Sequence, residues 1–317
     1  MSPKTAFLFP GQGSQFVGMG QDLVAAFPEA ARCFEQADDV LGFPLSRLCF
    51  EGPIEELTQT RNAQPAILVH GVAVQRVLAA NGVAAPDAVA GHSLGEFSAA
   101  CAAGVMSLAD AVRIVRRRGE LMWEAGQQVP GTMAAVMGLD VGECERICAE
   151  VSASGVGVVV VANRNSPAQV VLSGDVAAVE AVAEPLKAAG ARRVVGLPVS
   201  GAFHSPLLEA AGVAFGGFLS GVPLRAADPP LVANVTGLPI TAAEDLRASF
   251  VGQLTAPVRW HESVERMVAD GVRRFVEVGP GTVLTNLGAR GFGEHEFLAT
   301  SDLAGVEKVL ALLGKAG

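Results

Sequence analysis

Residues 87–91 read as a strand that runs straight through Gly91-His92-Ser93-Leu94-Gly95 into a helical pattern, EFSAACAAG. A G-x-S-x-G turn between strand and helix is very tight. Glycines are needed where side chains would clash, and the serine is lifted to the C-terminal edge of a sheet. That context calls for a parallel sheet with helical connections, and the chain supplies the rhythm. A strand at 5–9 (TAFLF) ends in the loop PGQGSQ, a long helical pattern follows in 65–80, and helices are expected at 94–103 and 108–125. Late in the chain, strands at 231–235, 273–278 and 296–299 alternate with helices at 242–254, 258–270 and 303–314. The expected class is α/β, with a parallel sheet covered on both faces.

Residues 131 to 198 break that rhythm. They read strand (TMAAVMGL), helix (VGECERICAEV), strand (GVVVVANRN), strand (QVVLSG), helix (AAVEAVAEPLKAAG), strand (RRVVGLPVS). This β-α-β-β-α-β order is that of a ferredoxin-like unit. The expected organisation is a small domain, 129–198, inserted in a large one made of 1–128 and 199–317. A cleft between them is a natural ligand site.

Composition excludes several classes. No apolar run approaches the roughly 20 residues of a membrane span. The N-terminus has one lysine before a strand too short for a signal-peptide core, so a cytoplasmic protein without a membrane partner is expected. Cys33, Cys49, Cys101, Cys144 and Cys148 are odd in number and unrelated in spacing, which fits a reducing compartment. Cys144 and Cys148 lie i,i+4 on a helix with no third ligand nearby, so they read as packing residues and no metal is expected. A net charge of −9 argues against a nucleic-acid partner.

A serine nucleophile needs a base. His92 adjoins Ser93, and neighbouring side chains on a tight turn point apart. His70, mid-helix on an apolar stretch, reads as a packed, hydrogen-bonded histidine. His261 follows Trp260 at a helix start and His295 lies in the charged loop GEHE, so both read as structural or exposed. His204 lies in the loop SGAFHSP (200–206), where the chain re-enters the large domain beside the cleft. Position alone favours it without deciding the matter.

The helix at 108–125 holds an anomaly. Ile114, Val115, Leu121, Met122 and Ala125 form its apolar stripe, while Arg113, Arg116, Arg117, Glu120 and Glu124 form its polar face. Arg118 falls on the apolar stripe by the same spacing. A buried guanidinium must be paired with an anion or the helix is penalised by several kcal/mol. Two readings stand: an internal salt bridge, or a fork that takes a ligand carboxylate.

Seven separated motifs resemble those of the malonyl-CoA:acyl carrier protein transacylases, in order and spacing. They are FPGQGSQ (9–15), QPA (64–66), GHSLGEF (91–97), RGxxM (118–122), AFHS (202–205), QxxxPVRW (253–260) and EVGPG (277–281). The likeness spans essentially the whole chain. The family also holds the acyltransferase domains of fatty acid and polyketide synthases and free-standing acyltransferases of polyketide assembly lines. One departure is Phe97, where the family commonly has tyrosine; this chain has no tyrosine at all.

The resemblance implies an α/β-hydrolase-like large domain with a ferredoxin-like insert. It also implies malonyl transfer from malonyl-CoA to the phosphopantetheine thiol of an acyl carrier protein. Ser93 would be the acylated nucleophile and His204 its base, oriented by the backbone carbonyl of Gln253 in place of an acidic third member. The backbone N–H groups of Gln12 and Leu94 would form the oxyanion hole, and Arg118 would bind the malonyl carboxylate. Gln64, Asn163 and Met122 would line the pocket. Phe203 stands where a phenylalanine accompanies malonyl choice in related polyketide acyltransferases, and a serine methylmalonyl choice. No cofactor is implied, since the coenzyme A thioester and phosphopantetheine are substrates, and a monomer is the family's usual state.

An acidic carrier meeting a chain of this charge needs a local basic patch, for which Arg116, Arg117, Arg192, Arg193, Arg273, Arg274 and Arg290 are the candidates. Two rival functions remain at this level. A thioester hydrolase would usually need an acidic residue between Ser93 and His204 and would gain nothing from a buried arginine. A non-catalytic carrier-docking module would have no use for Ser93, His204 and Arg118 together.

Overall fold

The computed structural model describes residues 3–199 and 201–314. Ser200, in the His204 loop, and the last three residues of the expected large domain lie outside the described residues. Ten strands among the described residues form two sheets. The larger contains β1 (Lys4–Phe9), β2 (Ala88–Gly91), β7 (Leu231–Val232), β8 (Pro239–Ile240), β9 (Val272–Glu277) and β10 (Glu296–Ala299), in the order β10-β9-β1-β2-β7-β8. Every pairing is parallel except β7 with β8. The central β1 is buried from Ala6 to Phe9, as a strand covered on both faces requires. Because Phe9 of β1 pairs with Gly91 of β2, the loops that follow them leave the same sheet edge side by side.

Four helices build the site: α1 (Thr60–Ala80), α2 (Gly95–Ala102), α3 (Leu108–Gln128) and α4 (Ala243–Gly252). Ser107 caps α3 by accepting from the Asp110 N–H at 3.1 Å. Its stripe of Ile114, Val115, Leu121 and Met122 is buried in the main core.

The second sheet holds β3 (Gly131–Met137), β4 (Val159–Ser166), β5 (Gln169–Asp175) and β6 (Arg193–Gly196), in the order β4-β5-β3-β6 and antiparallel throughout. It has its own core, with Val136, Ile147, Leu172 and Leu186, and Cys144 and Cys148 are buried in it. β4 is also tied to Val258, in the stretch that follows the helix Ala243–Gly252. Val258 N–H donates to Ala162 O at 2.8 Å and Arg164 N–H to Val258 O at 2.9 Å, while the Arg164 side chain pairs with Glu145 and Glu262.

Several sequence expectations change. The sequence reading omits six helices: Gln21–Ala26, Pro28–Leu41, Leu45–Glu51, Ile54–Leu57, Glu209–Ser220 and Val283–Gly291. The second carries a legible signal, a proline at its first position and Ala30, Cys33, Phe34 and Ala37 buried at helical spacing. The strand expected at 231–235 stops at Val232, because Ala233 N–H already turns back to Leu238 O at 3.0 Å. His70 is packed as expected but not hydrogen-bonded: both ring nitrogens are buried without a partner among the described residues.

That last point predicts a pH effect. Burial holds the His70 imidazole down at about 4, so the fold carries it neutral while the unfolded chain protonates near its ordinary value of about 6.5. With the folded value depressed, stability is full above the unfolded value and is lost as pH falls toward the folded one. His70→Leu should remove about 2 kcal/mol of the stability lost between pH 7 and pH 5. Denaturant midpoints at the two pH values check this, and an unchanged pH slope would contradict it.

Candidate active site

The elbow between β2 and α2 is strained by construction. Ser93 has φ 51°, a left-handed conformation unusual for any residue but glycine. A Cβ on Gly91 would lie 1.9 Å from the Gly95 carbonyl carbon, and one on Gly95 would lie 2.0 Å from Phe9 O. Neither position admits a side chain. Asn234, just beyond β7, holds the turn from beneath: its Oδ1 accepts from Ser93 N–H at 2.7 Å and its Nδ2 donates to Gly91 O at 2.6 Å.

Ser93 Oγ lies 2.7 Å from His204 Nε2. His204 is also left-handed, at φ 56°, in a loop pinned by Ser205 Oγ donating to Ala202 O at 2.6 Å. Its Nδ1 lies 2.6 Å from the backbone oxygen of Gln253. A carbonyl can only accept, so Nδ1 carries the hydrogen and the Nε2 lone pair faces the hydroxyl. Burial, then the charge of Arg118, holds the imidazole down at about 3. It is therefore neutral at neutral pH, the state in which it can take a proton.

Arg118 is only 1% exposed. Its two terminal nitrogens donate to Gln64 Oε1 at 2.8 Å, to Gln253 Oε1 at 2.7 Å and to Ser93 Oγ at 3.2 Å. Its partners are thus two amide oxygens and a hydroxyl, with no carboxylate among them. Of the two readings left open by the sequence, the internal salt bridge does not form among the described residues. Burial lowers the guanidinium to about 10, which leaves it charged at neutral pH.

A cavity of about 530 Å³ lies between the two sheets, and Ser93, His204 and Arg118 all reach it. Gln12, Leu94, Met122, Asn163 and Phe203 are among its lining residues. Gln64, expected in the lining, is instead fully buried behind Arg118 and supports it. Gln253 is also fully buried. His92 points away from Ser93, its Nε2 lying 2.9 Å from Asn165 Oδ1. His70, His261 and His295 do not line the cavity. Among the described residues no three His, Cys, Asp or Glu side chains cluster as a metal would require.

Two site residues escaped the sequence reading. Asn234 sits at a strand end in no quoted motif, and nothing local announces it. Glu96 stands inside GHSLGEF, but an acidic residue in a first helical turn is ordinary. In the fold it is completely buried, and its carboxylate accepts from Asn234 N–H and Ser249 Oγ, each at 3.2 Å, and from the Gln253 amide. Burial raises its carboxyl to about 7.

Residues 6–311 match the family model described as acyl transferase domain. The malonyl CoA-acyl carrier protein transacylase of Bacillus subtilis strain 168 is 43% identical over 310 residues, which cover 98% of this chain and 97% of that protein. The chain belongs to the malonyl-CoA:acyl carrier protein transacylase family. The Escherichia coli K12 transacylase is 45% identical over 285 residues, covering 90% of this chain and 92% of that one. Among solved structures, an acyl carrier protein S-malonyltransferase of Vibrio cholerae superposes with TM-score 0.93 at 40% identity, covering 96% and 99% of the two chains. A malonyl-transacylase in complex with its type II PKS acyl-carrier protein superposes with TM-score 0.94 at 41% identity, covering 98% and 99%. Family membership makes this chain an acyltransferase, with the mixed α/β fold and parallel sheet described above.

Proposed function

We propose that this acyltransferase moves a malonyl group from malonyl-CoA to the phosphopantetheine thiol of an acyl carrier protein, through an acyl-enzyme on Ser93. The observation that carries the reading is the convergence of a serine, a neutral imidazole and a buried guanidinium on one cavity. In the first half-reaction His204 Nε2 takes the Ser93 proton as Oγ attacks the thioester carbonyl. The carbonyl oxygen gains charge facing the backbone N–H groups of Gln12 and Leu94. His204 then gives the proton to the departing coenzyme A sulfur. In the second half the pantetheine thiol gives its proton to His204 and attacks the acyl group, and the proton returns to Ser93. Arg118 would hold the malonyl carboxylate throughout, and Asn163 and Met122 would wall the acyl chain.

The finer architecture is proposed in the same terms: a ferredoxin-like unit, 129–198, inserted in an α/β-hydrolase-like domain of 1–128 and 199–317. The strand order of the small sheet and its separate core support that division. Carrier docking narrows to fewer cations than the sequence offered. Arg116 pairs with Glu120, Arg117 with Glu120 and Glu124, and Arg274 with Glu296. Arg290 is exposed and lines the cavity, and Arg192 and Arg193 are exposed on the small unit. Arg273 turns its guanidinium onto the backbone oxygens of Val268 and Val272, so Arg290, Arg192 and Arg193 are the proposed docking contacts.

Competition among malonyl-, methylmalonyl- and acetyl-CoA tests the substrate. The wild-type enzyme should load malonyl first. Phe203→Ser should narrow its lead over methylmalonyl by opening room for one methyl group, an effect of about 1–3 kcal/mol. A wild-type preference for methylmalonyl or acetyl would overturn this view of the pocket.

A further inference from the structure

We propose that Glu96 is a positioning residue that sets the preference for a carboxylate-bearing acyl group, by fixing which way round the Gln253 side-chain amide faces Arg118. This rests on the reading of Arg118 as the group that holds the malonyl carboxylate. The Gln253 amide lies between the two charged side chains. Its Nε2 donates to the Glu96 carboxylate and its Oε1 accepts from Arg118 at 2.7 Å. The two ends of a primary amide have nearly the same shape, so neighbours alone decide its direction. A guanidinium has only hydrogens to give, and above its raised value of about 7 the Glu96 carboxylate has only lone pairs. With both partners charged, one orientation is allowed.

Glu96 is itself held so that it cannot relax this choice. Its Oε1 accepts from Asn234 N–H and Ser249 Oγ, each at 3.2 Å, which turns the other oxygen toward Gln253. In a Glu96→Gln variant the same two donors would keep the new carbonyl oxygen, and the new NH₂ would face Gln253. Donor would then meet donor, and turning the Gln253 amide over would only move the conflict to Arg118. In this dry site the guanidinium would lose its inner anchor. The His204 contact is separate. It uses the backbone carbonyl of Gln253, whose residue is fixed at the end of α4 by its N–H donating to Ser249 O at 2.9 Å. The effect should therefore fall on the malonyl carboxylate more than on proton transfer.

The test is the ratio of kcat/KM for malonyl-CoA to that for acetyl-CoA in wild type, Glu96→Gln and Arg118→Ala, measured above the raised Glu96 value of about 7, where its carboxylate is ionised. Glu96→Gln should lower the ratio at least about tenfold, the scale of one charge-assisted hydrogen bond. Circular dichroism and melting establish folding. Should Glu96→Gln not fold, Gln253→Met removes the amide, keeps the backbone carbonyl and should lower the ratio equally. An equal loss for both substrates, or an unchanged ratio, would overturn the proposal by leaving Glu96 a merely structural role. If Arg118→Ala lowers the ratio and Glu96→Gln does not, only the Glu96 inference falls. If Arg118→Ala keeps the wild-type ratio, the reading of Arg118 falls with it.

Discussion

Ser93→Ala should form no malonyl-enzyme in intact-mass measurements, while its circular dichroism and melting stay close to wild type. The fold should tolerate the change because the turn is not held by the hydroxyl. Asn234 grips the backbone on both sides of Ser93, and alanine meets the same left-handed φ of 51° with the same Cβ. Activity should not survive, since loss of a serine nucleophile costs on the order of 10⁶ in kcat where it has been measured. His204→Ala should slow both half-reactions by about 10²–10⁴-fold, the range of general acid–base help. An undiminished adduct in Ser93→Ala would place the acyl group elsewhere.

Arg118→Ala should collapse malonyl transfer and spare or improve acetyl transfer. In wild type, an acetyl group leaves a charged guanidinium facing a largely apolar pocket with only neutral partners, whereas malonyl supplies a carboxylate. A charge-assisted bond contributes roughly 1.5–3 kcal/mol, so malonyl should lead by about tenfold to a hundredfold. Removing the charge removes both the gain and the penalty. The two rates measured on one preparation decide this, and a malonyl lead that persists in the variant would show that the carboxylate is held by another group.

Local signals made much of this legible before any coordinates. G-x-S-x-G between strand and helix announced the elbow, because the turn is sterically possible only with glycine at 91 and 95. The break in strand–helix alternation marked the second sheet. Arg118 betrayed its burial through helical spacing, since a charged residue on an apolar stripe must face inward. What spacing could not supply was the identity of its partners. Its partners Gln64 and Gln253, and the Glu96 that the Gln253 amide reaches, come from three different helices or their ends, and an amide that relays between two charges has no sequence pattern. Asn234 was invisible for the same reason: its role exists only once β7 lies beside β2. Likewise, the missing hydrogen bonds of His70 depend on what packs around its ring, which a helical pattern does not state.

The most direct measurement isolates the acyl-enzyme and follows its fate. Enzyme is loaded with labelled malonyl-CoA, freed of excess thioester, and challenged with holo-carrier, apo-carrier or buffer. The account predicts that label leaves the Ser93 peptide and appears on holo-carrier in equal amount, while apo-carrier and buffer leave it in place far longer. Release of free malonate at the same rate in all three arms would make the chain a hydrolase and contradict the account.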